Sequence, residues 1–76
     1  MTDLLEFLTR ALVEDPDAVS VEELEEDGDL VYEITVADED LGRVIGKGGR
    51  VANAIRTVAK AAAVRMERRV IVDILD

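Results

Sequence analysis

"VIGKGGRV", residues 44–51, is the stretch on which the reading of this chain turns. Three of the five glycines, Gly46, Gly48 and Gly49, fall within four positions, with Lys47 among them and Arg50 directly after. The apolar pair Val44-Ile45 leads in. So bare and so positive a corner has no place inside a regular helix or strand. Its neighbours on both sides nevertheless read as helices.

Downstream, "RVANAIRTVAKAAAVRM" (50–66) puts Val51, Ile55, Val58, Ala62 and Met66 on one face at helical spacing, with Asn53, Arg56 and Lys60 on a solvated one. Upstream, "ADEDLGRVIG" (37–46) offers Asp38 as an N-cap and acids for a first turn. Leu41, Val44 and Ile45 would form the buried edge of that short helix. Further out, "LVYEITV" (30–36) alternates as a strand, and Asp27-Gly28 joins it by a tight turn to a weaker strand beginning at Val19 and Val21. "RVIVDIL" (69–75) is a last, β-branched strand. At the N-terminus Thr2 and Asp3 can cap a helix carrying Leu4, Leu5, Leu8, Ala11 and Leu12, which Pro16 stops. The order α-β-β-α-α-β predicts an α/β (α+β) two-layer sandwich, a three-stranded sheet covered by helices, in one domain over residues 1–76.

Composition sets the limits of function. The 76 residues contain no cysteine and no histidine. Disulfides, thiolate metal sites, cysteine nucleophiles and the commonest general base are therefore excluded. Ser20 and the threonines have nothing to activate them, so no enzyme, metal or cofactor is expected. No apolar run approaches the ~18 residues of a membrane span. "MTDLLEFL" lacks a basic leader region, so a cytoplasmic protein is the expectation. The net charge of −9 argues against nucleic acid until its distribution is considered. Residues 1–42 hold fifteen acids and one base, Arg10; residues 43–76 hold three acids and eight bases. The positive half begins beside the glycines.

Known glycine loops constrain the corner. A Walker A loop fails, because Gly42 to Gly46 is one residue short and Gly48 follows the lysine where a hydroxyl is needed. A dinucleotide fingerprint fails because the preceding element is helical. A helix–GxxG–helix arrangement remains. Gly46 and Gly49 are expected to take positive φ and to let a phosphodiester approach the backbone. Amides opening the second helix would face its oxygens, and Lys47 and Arg50 would add charge.

"GRVIGKGGRVANAI" (42–55) resembles the signature of a KH domain, V-I-G-x-x-G-x-x-[IA], with Val44, Ile45, Gly46, Lys47, Gly48, Gly49 and Ala52 in its places. The element order is that of the type II, prokaryotic form. In length and in its acidic first half the chain is similar to the small bacterial single-KH family KhpA. The resemblance implies a protein that binds single-stranded RNA and acts as an RNA chaperone. It implies pairing with a larger KH-containing protein, KhpB, and self-association, and a link to cell elongation and peptidoglycan homeostasis.

The expected RNA-binding residues are Arg43, Gly46, Lys47, Gly48, Gly49, Arg50 and Asn53. Arg56 and Lys60 read first as a wet helix face, and Arg65, Arg68 and Arg69 as charge suited to a helix C-terminus. Asp38 to Asp40 read as capping rather than metal binding. Val44, Ile45 and Val51 are mainly core. With Phe7 and Tyr32 the only aromatics, ring stacking cannot drive binding, so it should be weak and poorly selective. Two other readings stand beside this one. The glycines could make a simple inter-helix turn, and the domain could be a dimerisation subunit whose partner holds most of the RNA.

Overall fold

The alternation in residues 30–36 is realised as the middle strand of a three-stranded sheet. The computed structural model describes residues 1–75; the Lys47 side chain lies outside the described residues. The elements are α1 (Thr2–Leu12), a short 3-10 turn (Pro16–Ala18), β1 (Ser20–Glu26), β2 (Asp29–Thr35), the helical run α2 (Asp38–Met66) and β3 (Val70–Leu75). The sheet order is β1-β2-β3. β1 pairs antiparallel with β2, from Ser20↔Thr35 to Glu26↔Asp29, around a turn in which Asp27 and Gly28 have φ of +51° and +85°. Positive φ at both central residues is the turn geometry that matches the twist of a hairpin. β3 runs parallel to β2, from Leu30↔Val70 to Thr35↔Leu75, so the chain must cross over between them, and α2 is that crossover.

Leu30, Tyr32, Ile34 and Val36 all face the helices, where Leu5, Ile55 and Ala59 complete the buried cluster with Val19 and Val72. The opposite sheet face carries an acidic row, Glu22↔Glu33↔Asp73, beside an apolar one, Leu24↔Val31↔Ile71. Tyr32 is fully buried, and its hydroxyl donates to Glu23 Oε1 at 2.7 Å. Burial first, then the carboxylate of Glu23, pushes its pKa up to about 12. The folded phenol thus stays neutral where the unfolded one, at about 10, has ionised. Stability should be full below pH 10 and fall as the pH rises from 10 to 12. Urea denaturation across that range should show this component in the native chain and not in Tyr32→Phe; equal slopes for the two proteins would refute it.

A straight helix of 29 residues would be about 43 Å long, yet the longest dimension of the molecule is 34 Å. The run is broken by Gly48 and Gly49, with φ of +75° and +71°. These values lie outside the right-handed helical region and are open mainly to glycine. They divide α2 into a first arm and a second arm. The order is therefore α-β-β-α-α-β, as the sequence implied.

Several local expectations are corrected. Met1, not Thr2 or Asp3, stands at the cap of α1, and Ala37, not Asp38, at the cap of α2. In α1 the buried stripe is Leu5 and Thr9, with Leu8 packed beside them; Leu4 and Leu12 lie largely outside with Phe7. In the second arm the deepest residues are Ala52, Ile55 and Ala59, one step around from the stripe Val51, Val58 and Ala62. The sheet contacts a narrow stripe, and alanines permit a closer approach there than valines would. Ile45, expected in the core, is 51 % exposed, whereas Val44 is fully buried.

Candidate nucleic-acid interface

The glycine turn joins the two arms of α2. Positive φ falls on Gly48 and Gly49; Gly46, expected to share it, does not have it. A methyl group built on Gly46 or Gly48 would meet nothing within 4 Å, and one on Gly49 would meet only the Asn53 amide, at 3.8 Å. Gly48 and Gly49 are thus required by backbone conformation. Gly46 instead leaves the main chain uncovered, as a phosphodiester approaching closely would need.

Two clefts lie along α2, one beside its second arm and one at the turn. The larger, about 670 Å³, lies between the second arm and β3, with Arg56, Ala59, Lys60, Ala63 and Val64 on one wall and Val70, Ile71 and Val72 on the other. Its floor is aliphatic and its rim mainly cationic, with Arg56, Lys60, Arg68 and Arg69 against the one acid Glu67. The face Gly49, Asn53, Arg56, Lys60 follows steps of four, three and four residues, so it runs continuously from the turn into this cleft. Three successive strand residues along one wall mark a strand edge, and β3 is one of the sheet's two edge strands. The carbonyls of Arg69 and Leu75 accept from Leu30 and Val36 of the β2 side. Alternate residues of a parallel strand face alternate sides. The backbone N–H and C=O of Val72 accordingly point away from β2, on the open edge.

The smaller hollow, about 370 Å³, sits in the crook of the two arms and is lined by Glu39, Gly42, Arg43, Gly46, Arg50 and Val51. Arg43 and Arg50 meet here rather than in the large cleft. They are not equivalent. Arg43 donates to Glu14 Oε1 at 2.6 Å and has its Nε 3.9 Å from Asp40 Oδ1. Among the described residues no ion pair engages Arg50, Arg56 or Lys60. Arg68 is pinned to Gly28 O and Glu25, and Arg69 lies 4.0 Å from Asp29.

The structure therefore gathers Gly46, Gly48, Gly49, Arg50, Asn53 and the backbone of Lys47 around one turn, and places Arg43 beside them. It adds Arg56, Lys60 and the β3 edge. The sequence carried half of that addition, since Asn53, Arg56 and Lys60 share a helical face. A neighbouring strand was expected to complete the groove, but the sequence did not say which one. Asp40 is not a simple helix-start acid: it is 2 % exposed, and its oxygens accept from the backbone N–H groups of Glu14 and Asp15, both at 3.0 Å. Those bonds, that of Glu14 first, hold its carboxyl below the usual carboxylate range. Among the described residues no cluster of acids, histidines or cysteines could hold a metal ion. Among the described residues no helix is long and apolar enough to cross a membrane.

A family model for the KH domain of KhpA and KhpB matches residues 2–74. The chain belongs to the KhpA/KhpB family of KH domains. It is similar over nearly its whole length to curated proteins called RNA-binding protein KhpA. That of Caldanaerobacter subterraneus subsp. tengcongensis is 49% identical over 75 residues, 99% of this chain and 100% of the relative. That of Clostridium acetobutylicum is 51% identical over 75 residues, again 99% and 100% of the two chains. That of Borreliella burgdorferi is 39% identical over 74 residues, 97% of this chain and 90% of its own. No solved structure gives a significant match. The glycines lie at the turn between the arms of α2, and the mixed sheet with its parallel β2–β3 pair agrees with the type II form.

Proposed function

We propose that the chain, as one KH domain, binds single-stranded RNA across the glycine turn and into the β3 cleft, without catalysis. The observation that carries this reading is the unbroken face from Gly49 through Asn53, Arg56 and Lys60, which joins a bare backbone turn to a cationic, aliphatic cleft. The phosphodiester chain passes over Gly46 to Gly49, where Lys47 and Arg50 neutralise it and Arg43 stands ready to do so. Asn53 lies against the turn and offers both a donor and an acceptor. Bases enter the cleft, rest on Ala63 and Val64, and meet the backbone groups of Val72. The exposed Ile45 adds aliphatic surface at the turn. The acidic row Glu22, Glu33 and Asp73 repels RNA from the outer sheet face and leaves the helix side as its approach. With no aromatic in the cleft, stacking is absent and binding is weak and poorly selective. The family resemblance supports an RNA-chaperone role in the cytoplasm, a larger KhpB-like partner, and a link to cell elongation and peptidoglycan homeostasis.

Salt dependence tests the reading. Neutralising two or three phosphates on a single strand gives a log–log slope of about −1.4 to −2.1, at ~0.7 per contact. Fluorescence-anisotropy titrations of a short labelled single-stranded RNA at several salt concentrations should fall in that range. A slope near zero would mean that the cationic face is not the binding surface.

A second reading has its own observation. On α1, Leu4 and Phe7 are 42 % and 73 % exposed on adjacent turns. Such a stripe suits a protein partner or a second copy, so an interaction subunit whose partner supplies most of the RNA contact is the alternative. Sedimentation of the native chain and Phe7→Ser, alone and with a KH-containing partner, separates the two.

A further inference from the structure

One charged knot ties the loop after α1 to the first arm of α2. Asp40 is held in place by two backbone N–H groups, so it is a fixed negative charge that cannot turn away. Arg43, on the same helix, has carboxylates at both ends of its guanidinium: Asp40 near Nε at 3.9 Å, and Glu14 on Nη2 at 2.6 Å. Glu14 differs from Asp40 in freedom. Its side chain is 72 % exposed, and only its backbone N–H is needed to hold Asp40. A carboxylate and a phosphodiester each offer an arginine two oxygens sharing one negative charge. Arg43 also lines the crook hollow together with Arg50 and the uncovered Gly46.

We infer that Glu14 is an internal stand-in for phosphate on Arg43, which an incoming RNA backbone must displace, so that Glu14 sets how tightly the crook holds RNA. The inference rests on the RNA-binding reading above. Arg43 is then not a third free cation beside Lys47 and Arg50. It is drawn on only when phosphate outcompetes a tethered carboxylate. In the native chain binding should therefore sit near the shallow end of the salt range.

The test is a set of anisotropy titrations of one short labelled single-stranded RNA with the native chain, Glu14→Gln, Arg43→Gln, the double variant, Arg50→Gln and Glu22→Gln. Glu14→Gln keeps the backbone bond to Asp40, and circular dichroism checks that each protein is folded. Glu22→Gln makes the same change in net charge on the outer sheet face. Glu14→Gln should bind about two- to fivefold tighter, the range of an exposed ion pair, with a slope steeper by about 0.7. Arg43→Gln should weaken binding, but less than Arg50→Gln does, and should erase the gain in the double variant. Equal effects of Glu14→Gln and Glu22→Gln would overturn the inference. So would an Arg43→Gln loss in the native background as large as that of Arg50→Gln. If Arg50→Gln weakens binding while Glu14→Gln changes nothing, only this inference falls. If the native chain binds no RNA, the RNA reading falls and takes the inference with it.

Discussion

Lys47→Asp/Gly48→Asp should bind single-stranded RNA at least about thirtyfold more weakly than the native chain while giving the same circular-dichroism spectrum. The variant removes a cation from the turn and puts two carboxylates where the phosphodiester must pass. A charge-assisted contact is worth roughly 1.5–3 kcal/mol, and about 1.4 kcal/mol is a factor of ten. The cost to the fold is backbone strain at Gly48, whose φ is +75°. A side chain on Gly48 meets nothing within 4 Å, and aspartate is among the residues that accept positive φ most readily. The core lies elsewhere, on the arms and the sheet. Loss of binding in a folded variant would place RNA on the glycine turn. Equal binding by both proteins, or none by the native chain, would favour the interaction subunit.

Ile55→Ala is expected to lower the unfolding free energy by about 2–4 kcal/mol, the usual range for deleting a buried aliphatic side chain. Ile55 is fully buried and belongs to the same cluster as Leu5, Tyr32 and Ile34. A core of this size supplies only about 3–5 kcal/mol in total, so the variant should be close to unfolded at room temperature. The consequence reaches the proposed RNA surface, because the next residue, Arg56, lines the cleft. The second arm cannot present its cationic face unless its apolar face is docked. Urea denaturation followed by circular dichroism measures the loss, and a fall below about 1 kcal/mol would contradict this packing. Saturating RNA should recover part of the lost stability, since a ligand that binds only the folded chain adds to it.

The elements were legible because each carries a local period. Residues 30–36 alternate, 50–66 repeat at helical spacing, and Asp27-Gly28 marks its own turn. Which member of a stripe goes deepest was not legible. Val51, Val58 and Ala62 share a helical face with Ile55, but the sheet meets the helix one step around, at Ala52 and Ala59. Periodicity fixes a face only to within about one residue, and the docking angle chooses the rest. Ile45 and Val44 show the same limit: of two adjacent apolar residues in the helix, Val44 is buried and Ile45 is half exposed.

The glycine turn itself was written in the chain. Three glycines around one lysine mark a turn, although positive φ falls on Gly48 and Gly49 and not on Gly46 as the sequence suggested. The amount of charge and its bias to the second half were likewise set by residue types alone. What became of that charge was decided by tertiary structure. Arg43 and Arg50 look alike in sequence, yet one is held by Glu14, 29 residues away, and the other has no ion pair among the described residues. Asp40 looks like a helix-start acid and is instead buried under the loop that follows α1. Arg56 and Lys60 become the rim of a cleft only because the crossover lays β3 parallel to β2. Local sequence sets backbone preference through sterics and periodicity; which charges meet depends on chain segments brought together only by packing.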